Sequence, residues 1–193
     1  MTYPAKISKE EIEALPVLSY AGRQLKIVDS TVEMEAAYRD LVQSPLIGFD
    51  TETKPSFVKG VTNKVALVQL STSECCYLVR VHTLGFPKAL LALLSDPNAL
   101  KVGLSLRDDF NAMSRRVRFK PAGFIDLQSE VGKVGIEDMS LQKIYAIMFG
   151  KKISKSQRLS NWEAATLTPQ QQLYAATDAW ACMDIFEQLK KDL

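Results

Sequence analysis

Apolar positions recur along this chain in two rhythms. In the first half they gather in short runs at 24–28, 46–52, 64–71 and 75–81, rich in Val, Ile, Leu and Phe as buried strands are. The gap between the last two runs is short and predicts an antiparallel hairpin. The gap at 53–63 is longer and holds Pro55, Phe57 and Gly60, which marks a candidate functional loop. Between the first two runs, Ser30 and Glu33 form a capping box that opens a helix over 32–42. Met34, Ala37, Tyr38 and Leu41 lie on its apolar face.

After Pro87 the rhythm turns helical. Helices over 88–94 and 108–116 flank a strand at 99–104, and an apolar run at 123–125 leads into helices near 127–134 and 140–149. A basic loop at 151–158 follows. Thr168-Pro169-Gln170-Gln171 then opens the last helix, with a capping threonine, proline in the first turn and glutamine closing the box; it runs to about Lys190. Hairpin-linked strands followed by strands alternating with helices predict one α/β domain. Its mixed sheet has antiparallel first strands, then parallel ones, and is flanked by helices. Residues 1–22 read as an N-terminal appendage whose Ser8 and Glu11 cap a short helix ending before Pro16. Residues 24–193 form the core.

Composition narrows the class without naming a function. The 193 residues suit one domain, and 47% hydrophobic with 24% charged residues is ordinary for a soluble globular chain. No apolar run has bilayer length, and no charged-then-apolar leader opens the chain. The cysteines, Cys75, Cys76 and Cys182, are odd in number and two are adjacent. That is poor material for disulfides, so a reducing, cytoplasmic setting is expected. His82 is the one histidine, which excludes a Cys/His zinc pattern. A net charge of +2 implies no polyanion partner by itself.

Three segments carry the chemistry. Ile47-Gly48-Phe49-Asp50-Thr51-Glu52 is an apolar strand ending in two carboxylates spaced by two, so Asp50 and Glu52 point to one face. Like charges so placed repel unless a cation lies between them; the alternative is two acids capping a strand at the surface. In the last helix Tyr174 and Asp178 are four apart and share a face, among Leu173, Ala176, Ala179 and Ala181. A buried Asp there is either satisfied by the tyrosine hydroxyl or bound to a metal. Val102-Gly103-Leu104-Ser105-Leu106-Arg107-Asp108-Asp109-Phe110 passes from strand to helix, and one of its two acids serves the helix dipole. Converging at one end of a sheet, four such carboxylates can hold two divalent cations about 3.5–4 Å apart, the arrangement for in-line phosphoryl displacement.

The runs Phe49-Asp50-Thr51-Glu52, Lys64-Val65-Ala66-Leu67-Val68-Gln69-Leu70 and Leu173-Tyr174-Ala175-Ala176-Thr177-Asp178-Ala179 resemble the DEDDy 3′–5′ exonucleases. Arg158-Leu159-Ser160-Asn161-Trp162 and Leu167-Thr168 are similar to that family as well. The resemblance runs from about Leu46 to the C-terminus, nearer to the exonuclease domain of the Werner-syndrome helicase than to ribonuclease D. It implies a ribonuclease H-like fold and two divalent cations, Mg²⁺ or Mn²⁺. Asp50 matches the acid that bridges both metals, and Glu52 and Asp178 match further ligands. Asp109 matches the second-motif acid by its register with Val102-Gly103 and Met113, with Asp108 as the alternative. Tyr174 matches the tyrosine that orients the attacking water. The histidine subclass would place His at position 173, where this chain has Leu173.

Nucleic-acid contacts are sought among two basic clusters. Arg115, Arg116, Arg118 and Lys120 read as a solvated patch, whereas Lys151, Lys152, Lys155 and Arg158 lie beside the Ser160-Asn161-Trp162 run. Lys64 is a further phosphate candidate. Phe57 is expected to anchor its loop to the core, the alternative being a stack on a terminal base. Trp162, Met139, Met148 and the other methionines read as core. The expected partner is a nucleic acid with a free 3′ end, DNA favoured and RNA the alternative, with a role in DNA repair the expected setting and no membrane; protein partners are not legible. No accessory domain is expected beyond the core. A non-catalytic nucleic-acid-binding module is the competing class; all five motif residues are present, which argues against it.

Overall fold

The computed structural model describes residues 3–20 and 22–193; Met1, Thr2 and Ala21, which fall in the expected appendage, lie outside the described residues. Six strands make one sheet: β1 (Gln24–Val28), β2 (Ile47–Thr53), β3 (Val65–Ser71), β4 (Cys75–Val79), β5 (Lys101–Gly103) and β6 (Phe124–Asp126). Their order across the sheet is β1-β4-β3-β2-β5-β6. The β2–β3 and β3–β4 pairs are antiparallel, while β2–β5 and β5–β6 are parallel. β1 is parallel to β4 at the sheet edge, so the first strand in sequence is not part of the antiparallel set.

Helices cover both faces because both faces are apolar. On one side lie α2 (Thr31–Leu41), α4 (Lys88–Leu94) and α5 (Leu106–Ser114), over a core of Met34, Ile47, Phe49, Leu70, Leu90 and Met113. On the other lie α6 (Leu127–Val131), α7 (Leu141–Phe149) and the 24-residue α8 (Pro169–Asp192). The short α1 (Lys9–Glu13) keeps its Ser8/Glu11 box, and α2 and α8 keep theirs at Ser30/Glu33 and Thr168/Gln171. No described helix is long and apolar enough to cross a membrane.

Two departures from the sequence-based expectation bear on the site. The strand expected over 99–104 is only Lys101–Gly103, and the helix expected from Asp108 starts at Leu106. The early helix follows from Asp126, whose carboxylate accepts from the Ser105 N–H at 3.1 Å and the Leu106 N–H at 2.9 Å. An acid from β6 thus caps α5 from outside and allows the helix to begin early. Ser105 sits at φ +60°, the one non-glycine in the left-handed region among the described residues. That costs free energy and persists because Asp126 holds its N–H.

Elsewhere, the strand tail expected at 80–81 gives way to the short helix α3 (Val81–Leu84), and Met139, expected in the core, is 48% exposed. Its neighbours Glu137 and Ser140 are also exposed, so the chain at that turn has no second layer to pack against. Lys101 is fully buried, its ammonium donating to the carbonyls of Leu93, Asp96 and Ala99 at 2.9, 3.0 and 2.6 Å. Three donors meet three acceptors, which is how a charge stays inside.

The N-terminal segment is tied to the C-terminal half. The Tyr20 hydroxyl donates to Asp184 at 2.5 Å and its ring lies 5.2 Å from that of Trp180. The Leu18 N–H donates to the Lys152 carbonyl at 2.8 Å, and the Lys152 N–H donates to the Pro16 carbonyl at 2.9 Å.

Candidate active site

Period-two alternation puts Gly48, Asp50 and Glu52 on the face of β2 that meets α8. Their β3 partners Ser71, Gln69 and Leu67 share it. The close approach of helix to strand is possible because residue 48 is glycine. A Cβ there would fall inside the van der Waals envelope of the Ala179 carbonyl and the Ser71 hydroxyl. One turn of α8 before Ala179–Trp180 come Ala175 and Ala176, both fully buried, so a narrow helix face lies flat on the sheet. That contact delivers Asp178 to Asp50 and Glu52.

Carboxylate oxygens of Asp50, Glu52 and Asp178 all lie within 4.8 Å of one another. Asp109 stands beside this trio rather than in it: its Oδ1 accepts from Thr51 Oγ1 at 2.5 Å, and its charge acts on Asp50 and Glu52. Asp108 is exposed on α5. Asp50 Oδ1 accepts the Thr51 backbone N–H at 2.8 Å. Thr51 therefore orients two acids at once, a role the sequence does not signal. Asp126 is the other such residue; its only sequence mark is its position one before a helix, where it also caps α6 through the Gln128 N–H at 3.0 Å.

The electrostatics agree with an unsatisfied anionic site. Burial, then the charges of Asp109, Asp178 and Glu52, push the Asp50 carboxyl far above the usual carboxylate range. Burial and the charges of Asp178 and Asp109 bring Glu52 up to about 9. Burial raises Asp178 to about 7, and burial raises Asp109 to about 7 against the Thr51 hydrogen bond. Tyr174 is pushed above the ordinary phenol value by burial and by Asp178, Glu52 and Asp50, so at neutral pH it keeps its proton and acts as a donor. Its ring stacks 6.0 Å from that of the fully buried Trp162. Arg80, also buried, donates from its guanidinium to the carbonyls of Ala164 and Ala165 and so holds the loop that carries Trp162.

These shifts carry a pH signature. Each of these four carboxyls lies above its ordinary value, so their protonation favours the folded chain. The stabilisation is complete below about pH 4 and is lost as pH rises through 7 towards 9. Lys101, pulled down to about 8 by burial, has the opposite effect only above about pH 8, and His82 titrates below its ordinary value. Cation-free protein is therefore expected to lose about 1–3 kcal/mol, several degrees of Tm, between pH 5 and pH 8. Millimolar Mn²⁺ should flatten that slope. Thermal unfolding in EDTA and in Mn²⁺ at both pH values checks this; parallel slopes would contradict it.

The substrate-contact candidates are placed unevenly. Lys64, Lys155 and Arg158 are exposed, and the Arg158 charge reaches Tyr174. Lys152 is already engaged by Glu13, through its carbonyl at 2.7 Å and its carboxylate at 3.3 Å. Phe57 is 83% exposed, so it does not anchor its loop to the core; the loop projects, and no core atom is left to receive the ring. In the other basic cluster, Arg116 donates to the Val65 carbonyl at 2.6 Å and has a packing role. A small cavity of about 170 Å³ adjoins Tyr174, lined in part by Val17, Ser154, Ser156 and Leu173. A larger one of about 750 Å³, between α2, β1 and β4, touches none of the four acids.

An all-oxygen donor set at this spacing, with every carboxyl raised, fits hard divalent cations. Comparison with known proteins points the same way. The family described as 3′–5′ exonuclease matches residues 25–193. The mouse bifunctional 3′–5′ exonuclease/ATP-dependent helicase WRN is 32% identical over 180 residues, covering 90% of this chain and 12% of that protein. The Nibbler EXO domain of Aedes aegypti superposes with a TM-score of 0.78 at 25% identity, over 93% of this chain and 92% of that one. Escherichia coli RNase D, an exoribonuclease involved in structured RNA processing, gives a TM-score of 0.78 at 22% identity, over 88% of this chain and 45% of that one. The chain spans only a small part of the helicase-linked relative. The fold is that of the ribonuclease H-like exonuclease domains.

Proposed function

The chain belongs to the 3′–5′ exonuclease family, and from that premise we propose that it shortens DNA from the 3′ end, releasing nucleoside 5′-monophosphates. The observation that carries the reading is the convergence of the Asp50, Glu52 and Asp178 carboxylates within 4.8 Å, with Tyr174 one helical turn from Asp178. Two divalent cations, Mg²⁺ or Mn²⁺, would be held by Asp50, Glu52, Asp109 and Asp178. When bound they would supply Lewis acidity towards the phosphate and a lowered pKa for water.

The chain's own groups then bind and orient. Tyr174 keeps its phenolic proton and aims it at the attacking water, which Glu52 accepts from on the other side. Oxygen of that water bonds to the terminal phosphorus, the P–O3′ bond breaks, and the 3′ oxygen leaves with a proton. Thr51 fixes Asp50 and Asp109 throughout. Arg158, whose charge acts on Tyr174, and the exposed Lys155, Lys64 and Phe57 would meet the phosphates and the terminal base. DNA is favoured through the likeness to the helicase-linked relative, 32% identical over 180 residues. The second reading, RNA 3′-end trimming, rests on the likeness in fold to the exoribonuclease RNase D, with a TM-score of 0.78.

One assay separates these readings. With 5′-labelled single-stranded DNA, duplex DNA and RNA in Mg²⁺ or Mn²⁺, the wild type should give a ladder of shortened DNA. A ladder on RNA alone would select RNA trimming, and no degradation of any substrate would select a binding module. A ladder that survives Asp178→Ala would overturn the metal-site assignment.

A further inference from the structure

Gln69 is fully buried, yet among the described residues neither Nε2 nor Oε1 of its amide has a hydrogen-bond partner. Buried amides are almost always bonded, so such an orphan calls for a partner beyond the protein's present contacts. On β4 its neighbour is Leu78, and on its own strand Leu67 and Ser71 flank it on the same face. Ser71 is already in contact with Met183 Sδ at 3.4 Å. Directly opposite in the β2–β3 register stands Asp50. Side chains so opposed have Cβ atoms about 4.5–5.5 Å apart, within reach of a glutamine amide.

Asp50 is held on one side only, by the Thr51 N–H at Oδ1. A carboxylate meant to face cations needs its other side fixed as well, since groups behind the ligands set ligand orientation. We propose that Gln69 is a positioning residue for Asp50. Its Nε2 donates to the Asp50 carboxylate through one enclosed water and holds it in the orientation that receives divalent cations. Gln69 itself touches neither cation nor substrate. This inference rests on the metal-site reading above.

The test is Mn²⁺ binding by calorimetry to the full chain, wild type against Gln69→Met, with cation-free Tm measured alongside. The substitution keeps the volume and removes the amide. Expected are a 10–100-fold loss of Mn²⁺ affinity and an unchanged or raised cation-free Tm. On DNA, kcat should fall while KM stays within about twofold. If wild type binds no Mn²⁺, the metal-site reading and this one both fall. If wild type binds and Gln69→Met binds equally well, only the role of Gln69 falls. A variant that loses affinity together with several degrees of cation-free Tm marks Gln69 as a residue that holds the fold, which also overturns the proposal.

Discussion

Asp50→Asn should reduce DNA-shortening activity by roughly 10²–10³-fold or more, the scale of losing one preorganised electrostatic contact, while making the cation-free protein more stable. The two effects have one cause. Asp50 is the acid most disfavoured in its charged form, by burial and by three neighbouring carboxylates. Asparagine keeps the shape and the acceptor for the Thr51 N–H but removes the charge. At pH 8 the cost of keeping Asp50 buried beside three acids, charged or protonated, is gone, and cation-free stability should rise by about 1–3 kcal/mol, several degrees of Tm. Mn²⁺, which should stabilise the wild type by binding the folded state, should stabilise the variant far less. The measurements are a gel assay on labelled DNA and thermal unfolding with and without Mn²⁺. A variant that is inactive and also less stable without cation would show Asp50 to be a structural acid, bonded rather than repelled.

The second large effect is expected at a residue with no functional group. Gly48→Ala places a methyl against the Ala179 carbonyl and the Ser71 hydroxyl. The hydroxyl can turn away, but the carbonyl is helix backbone, so α8 as a whole must lift from β2. Overpacking of this kind costs about 1–3 kcal/mol, and the rigid partner puts this case at or above the upper end. For a chain of this length that is about 6 °C of Tm or more. The same lift separates Asp178 from Asp50 and Glu52, so activity and Mn²⁺ affinity should fall in the fraction that remains folded. Gly132→Ala is the control, because a Cβ there meets nothing and its backbone is already helical. Equal Tm for Gly48→Ala and wild type would mean that α8 does not depend on this contact.

Local rules account for much of this molecule. The three capping boxes, at Ser8, Ser30 and Thr168, form as their spacing predicts, since a side chain three residues away needs no tertiary help to reach an orphan N–H. Period two set Asp50 and Glu52 on one face, and period 3.6 set Tyr174 and Asp178 on another. These four could be read from order and spacing because each pair lies within one element.

Relations between elements were not legible in the same way. The choice between Asp108 and Asp109 depends on the rotation of α5, which Asp126 sets from a different strand by capping Ser105 and Leu106. The partner of Asp109 is Thr51, 58 residues away. Phe57 and Met139 are apolar by type yet exposed, because burial is decided by whether a second layer passes over a turn. Parallel pairing of β1 with β4 at the edge is likewise a choice among alternatives that the strand's own pattern leaves equal. Sequence by itself determined which residues are candidates for the chemistry and which of them share a strand or a helix. Only the tertiary structure decided that β2 and α8 meet across Gly48 closely enough to bring three carboxylates together. That contact depends on long-range packing over more than 120 residues of chain, beyond the reach of any local pattern.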